Sequence, residues 1–197
     1  SGEGQKYTYF GQLNNIVLVA DTNEEFEKHE QQKKNDALRR AGHKLAEFIG
    51  KCVKDLTPED TDVYETTPII KRPAEVEALP SVVIVMQPQS QMEELGYNDL
   101  LYGWDMNKYL PTLMSPTEVL DGAMVSGSFM PVSSKWSTYD FQNFPNLRAL
   151  MDAHGKTINF LGVIMSNLNV ALEQKERSIQ MVVQMAKSLG ADGAGVV

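Results

Sequence analysis

Ser126, Gly127 and Ser128 close a short apolar run that begins at Leu120. Small residues at the end of a strand leave backbone exposed and close to whatever lies above it. Glu118 and Asp121 precede the strand expected at Ala123-Met124-Val125. Either would work as a general acid or base if it were buried beside a ligand. Asn167 and Asn169 follow another apolar run and offer neutral hydrogen-bonding groups to a small polar ligand. Trp104 is placed to wall a pocket for that ligand, and Trp136 lies beyond it in the chain. Each group also has a plainer reading. Loops are polar in general, Trp104 and Trp136 suit buried aromatics, Glu118 suits a first-turn helix acid, and Asp121 suits a turn.

Other chemistries lack their residues. His29, His43 and His154 show no His-x-x-x-His spacing, so none is read as a metal ligand. The sequence has one cysteine, Cys52, which excludes an internal disulfide and a cysteine zinc cluster. No phosphate-binding lysine loop is present, and Gly193-Ala194-Gly195 falls after a helix rather than before one. A net charge of -8 argues against nucleic acid and anionic membrane as partners, because both need a basic face. No run approaches the roughly 20 apolar residues of a membrane span, and no signal-peptide pattern is visible. A cytoplasmic setting is expected.

The elements that would position these groups are legible as alternating runs. Ile16 to Ala20, Val82 to Met86, Ala123 to Val125 and Ile158 to Met165 read as buried strands. Val63-Tyr64-Glu65 reads as a further short strand, and Lys71 to Pro80 as a connection. Leu38, Ala41, Leu45, Phe48, Ile49 and Cys52 share one helical face, which makes Cys52 a core residue. Thr22 with Glu25, and Ser115 with Glu118, are capping patterns that start helices. Leu172, Ile179, Val182, Val183, Ala186 and Leu189 mark another helix, which Gly190 ends. Strands alternating with helices predict an α/β fold, a mainly parallel sheet covered by helices on both faces. The 197 residues suit one domain. Gly193 to Val197 look like the opening of a strand, so the sequence reads as a fragment of a longer chain.

In such sheets ligands bind beyond the carboxyl ends of the strands. The ends at Asp21-Thr22-Asn23, Gln87 to Gln91, Ser126-Gly127-Ser128 and Ser166 to Asn169 are all rich in small polar side chains. Their coincidence points to a small polar ligand without specifying it.

The chain also resembles the component B proprotein (alpha and beta subunit precursor) of glycine, sarcosine and betaine reductases. Asn14-Asn15-Ile16-Val17-Leu18, Val63-Tyr64-Glu65-Thr66, Pro111-Thr112-Leu113, Pro116-Thr117-Glu118-Val119, Val125-Ser126-Gly127, Lys175-Glu176-Arg177-Ser178 and Leu189-Gly190-Ala191-Asp192-Gly193 carry the likeness. It implies a subunit of a reductive deaminase complex. There a pyruvoyl carbonyl takes up the amino substrate, and a partner selenoprotein subunit removes the carbon fragment. The pyruvoyl group of that family arises by cleavage at an Asn-Cys pair after the Ser-Gly. This chain has Ser128 and Phe129 there, and Ser133 at a second cysteine position. A phenyl ring cannot attack the preceding peptide bond, so no pyruvoyl cofactor is expected. A pyruvoyl derived from Ser128, Ser133 or Ser134 stays open, and Ser128 is the catalytic candidate on that account. Where the family has a His-x-His stretch the chain has His29 and Gln31, which weakens a metal site there further.

Two readings follow. In the first, the chain is a component-B-like reductase subunit that binds a small amino acid or methylated amine at Ser126, Gly127, Asn167, Asn169 and Trp104, with Ser128, Glu118 and Asp121 as catalytic candidates. Trp104, Trp136 or Tyr102 would then supply an aromatic wall for a cationic ligand. In the second, it is a noncatalytic scaffold or ligand-binding homologue. Other reductase subunits are the expected partners, and a homo-oligomer is compatible with the sequence.

Overall fold

Val82 to Met86 is an unbroken apolar run with three valines and an isoleucine, and a β-branched run of this kind is stable only with both faces covered. In the computed structural model it forms β1 (Ser81–Met86). The structure describes residues 18–19, 31–52, 63–66, 72–88, 99–125, 136, 138–169 and 171–197. They fall in two units, residues 1–58 and 59–197.

In the second unit the chain order is α2 (Ala74–Glu77), β1, β2 (Leu100–Leu101), β3 (Trp104–Asp105), β4 (Thr112–Met114), α3 (Pro116–Leu120), β5 (Met124–Val125), α4 (Thr138–Gln142), α5 (Pro145–Ala153), β6 (Asn159–Met165), α6 (Leu172–Ser188) and β7 (Gly193–Val196). The main sheet has the order β4-β6-β1-β7. β1 runs parallel to both β6 and β7, and β4 is antiparallel to β6. The fold is therefore mixed α/β with a mostly parallel sheet.

Side chains on β1 and β6 divide between two clusters. Val83, Val85, Leu161 and Ile164 meet Val182, Met185, Ala186 and Leu189 on or beside α6. Ile84, Met86, Phe160, Val163 and Met165 meet Met106, Met114, Val119, Phe141, Phe144 and Leu147. Each fully buried Val, Leu or Met contributes about 1.5–3 kcal/mol.

The register of β6 slips by one residue against β1: Val82 faces Phe160 but Val83 faces Gly162, so Leu161 is the extra residue of a bulge. Arg72 caps it. Its guanidinium donates to Phe160 O at 2.6 Å, to Leu161 O at 3.3 Å and to Asn159 Oδ1. His154 Nδ1 accepts the Phe160 N–H at 3.0 Å. Burial, aided by the Arg72 charge, pulls the His154 imidazole below its ordinary range.

Several expectations change. Ala123 to Val125 was expected in the main sheet, but β5 joins β2 and β3 in a separate three-stranded antiparallel sheet. Residues 63–66 are not in a strand, and the connection before Pro80 contains the short helix α2. In the first unit the predicted helix is present as α1 (Gln31–Cys52). Ala41, Leu45 and Ile49 are half-buried, but Phe48 and Cys52 are exposed, so Cys52 is not a core residue. Of the strand expected at Ile16 to Ala20, the described residues Leu18 and Val19 are exposed and outside regular structure. The capping pattern at Thr22 and Glu25 lies outside the described residues.

Candidate functional site

A tight hairpin organises the site. β2 and β3 pair with Leu101 opposite Trp104, leaving Tyr102 and Gly103 as a two-residue turn. Their φ values are +51° and +81°. Positive φ at both central residues matches the right-handed strand twist, as in a type I′ turn. Gly103 adopts this freely, but Tyr102 does so against a steric cost of about 1–2 kcal/mol. The turn presents Tyr102 and Trp104 to solvent, each 50% exposed.

α3 places the acids beside this turn. Pro116 fixes φ at the helix start, and Ser115 precedes it in an extended conformation. Glu118 Oε2 reaches back to accept the Ser115 N–H at 2.6 Å, and Glu118 Oε1 accepts the Tyr102 hydroxyl. Ser115 Oγ lies 2.9 Å from Thr117 Oγ1 and 2.8 Å from Thr66 Oγ1. Thr66 Oγ1 is also 3.0 Å from Thr117 Oγ1, so the three hydroxyls form one group. Asp121 closes α3, its N–H donating to Thr117 O at 2.8 Å, and its side chain is exposed. Gly122 then turns the chain into β5 at φ +92°, where a Cβ would lie 2.6 Å from Gln142 Nε2.

The electrostatics follow from these positions. The Tyr102 phenol is pushed up to about 12 by burial, then by its bond to Glu118 and by the negative charges of Glu118 and Asp121. At neutral pH it is therefore a hydrogen-bond donor locked to Glu118. Both Glu118 oxygens are already engaged.

Asn167 is 4% exposed and sits at the carboxyl end of β6. Its Nδ2 donates to Tyr109 O at 2.8 Å and to Met106 O. Tyr109 in turn donates its hydroxyl to Leu101 O at 3.1 Å. The amide thus ties the parallel sheet to the segment bearing the hairpin. Those two carbonyls fix the orientation of the amide, and its buried Oδ1 has no hydrogen-bond partner among the described residues. Asn169 Nδ2 donates to Ser178 Oγ at 2.8 Å, clipping the loop to α6.

The structure brings Glu118 and Asp121 beside the turn that leads into Trp104, and Asn167 reaches that hairpin only through the segment of Met106 and Tyr109. Asn169 belongs to the start of α6. Ser126, Gly127 and Ser128, with Phe129, lie outside the described residues. Trp136 packs on Phe144 and Phe141, with ring centroids 4.4 and 5.7 Å away, and belongs to the core. The Thr66, Ser115 and Thr117 hydroxyl group, and Tyr109 as a link, were not read from the sequence. Only Gly103, between Leu100-Leu101 and Trp104, signals the turn. Among the described residues no group of three or more His, Cys, Asp or Glu is placed to hold a metal ion, and no helix is long and apolar enough to cross a membrane.

Comparison with known proteins covers the entire chain. Betaine reductase complex component B subunit alpha of Peptoclostridium acidaminophilum is 72% identical over 193 residues. Glycine reductase complex component B subunits alpha and beta of Acetoanaerobium sticklandii are 39% identical over 193 residues, and sarcosine reductase complex component B subunit alpha of Peptoclostridium acidaminophilum is 38% identical over 193. Each alignment takes in 98% of this chain, and the chain spans 44% of the length of these relatives. No solved structure matches it. The model of the glycine/sarcosine/betaine reductase component B subunits matches residues 1–197, and the chain belongs to that family.

Proposed function

We propose that this chain is part of a reductase component B that binds a methylated amine, betaine foremost, without cutting itself to make a pyruvoyl group. The observation that carries this reading is the Tyr102 hydroxyl held on the Glu118 carboxylate, at a turn where Tyr102 and the following Trp104 are each half-exposed. A quaternary ammonium is attracted to aromatic faces and to nearby negative charge, and contacts of this kind contribute about 0.5–2 kcal/mol each. It has no N–H and forms no Schiff base, so a carbonyl cofactor is not needed to hold it. Phe129 carries no heteroatom to start chain cleavage. The 72% identity to a betaine reductase subunit supports the same ligand.

In this reading Ser126 and Gly127 are the proposed ligand contacts, Asn167 and Asn169 serve the ligand through the segments they tie down, and Ser128 and Asp121 are the proposed catalytic residues. The remaining reductase subunits, a selenoprotein among them, act on the bound substrate in the cytoplasm. The two clusters on β1 and β6 support a sheet covered by helices on both faces. A purely binding role has one specific support: both oxygens of Glu118 are hydrogen-bonded, which leaves it poorly placed to move a proton.

Calorimetric titration with betaine tests the site. Trp104→Ala is expected to weaken betaine binding about tenfold, the loss of one aromatic contact. Unchanged affinity in a folded variant would remove Trp104 from the site.

A further inference from the structure

The helix α6 has two apolar surfaces, and the sheet accounts for one. Val182, Met185 and Leu189 pack on β1 and β6. Leu172, Ile179 and Val183 lie about 100° further round the helix, at 100° per residue. Leu172 is 69% exposed and Ile179 59%. Val196 on β7 is 64% exposed. It pairs with Val85, which belongs to the α6 side of the sheet, so Val196 points to that side too. β7 is also an edge, with β1 on one side and no described strand on the other.

The connection from β6 through α6 to β7 joins parallel strands across β1, and such crossovers are right-handed in nearly all proteins. In a right-handed crossover, a flank 100° past the core-facing line of the helix looks toward the second strand and the space beyond it. The stripe of Leu172, Ile179 and Val183 therefore faces the open β7 edge. An apolar stripe beside an unpaired strand is a liability that folded proteins cover.

We propose that this surface receives a helix and a parallel strand from sequence outside residues 1–197, extending the sheet past β7. A next right-handed unit puts its helix on the α6 side, against that stripe, and its strand on the β7 edge. One insertion covers both features. The matched relatives supply the length, since the chain spans only 44% of each.

The test uses a polypeptide of the relatives' full length, with a benzophenone amino acid at position 179 and photo-crosslinking read by peptide mass mapping. The expected result is a crosslink within one chain to a peptide outside residues 1–197. A product of doubled mass would mean that a second copy covers the stripe, and would overturn the proposal. A crosslink to a peptide within 1–197, or none from a folded protein, would overturn it as well. If the probe at position 179 prevents folding, position 183 carries it with the same outcomes.

Discussion

At the scale of single residues, the Tyr102–Glu118 bond sets the character of the site. Tyr102 is held in a left-handed backbone conformation that its side chain disfavours, and its hydroxyl is fixed on a carboxylate. Backbone strain of this kind is retained where surrounding contacts over-determine it, and it is common at ligand sites. Raising the phenol to about 12 means that the stabilisation from the neutral form is present below pH 10 and is lost as pH rises through 12. Glu118→Gln keeps an acceptor and removes the charge. It is expected to lower the Tyr102 titration toward 10, seen in phenolate absorbance with Tyr102→Phe as the assignment control. An unchanged midpoint would mean that the carboxylate does not act on this phenol. The sequence marked Glu118 through its capping pattern and Trp104 through its type. It did not reveal the bond to Tyr102, because tyrosine at positive φ is not a turn signal. Asn167 was legible as a polar group at a strand end. Its work on the Met106 and Tyr109 carbonyls depends on a tertiary contact that no local pattern encodes.

At the scale of elements, long periodic segments were readable and short ones were not. β1, β6 and α6 appear where their apolar runs place them, since burial on both strand faces and a 3.6-residue period leave strong marks. β5 has two residues and contains no information about its partner, so its membership of the small antiparallel sheet was invisible. The β6 bulge was equally hidden, although its staples are separate residues with clear chemistry. His154 accepts the Phe160 N–H only while Nδ1 is unprotonated. Its imidazole is depressed in the fold, so its contribution is present above about 6.5 and is lost as pH falls through the lower folded value. Urea unfolding should show wild type losing more stability than His154→Asn between pH 7 and 5. Parallel losses in the two proteins would exclude His154 as the cause.

For the whole molecule, family membership rests on all 197 residues, whereas the proposal that the chain stays uncut rests on Phe129 alone. The acidic chain, with a net charge of -8, suits a cationic or zwitterionic ligand better than an anionic polymer. The aromatic turn beside Glu118 is the proposed place for such a ligand, and the exposed flank of α6 the proposed place for further sequence. A component B chain that stays uncut should bind its ligand as a single polypeptide. Its most direct test is the intact mass of the polypeptide expressed at the full length of its relatives. One species with the mass of the uncleaved chain is expected. Two fragments, one beginning with a pyruvoyl-blocked terminus at Ser128, Ser133 or Ser134, would contradict it and show that serine has taken over the chemistry of the missing cysteine.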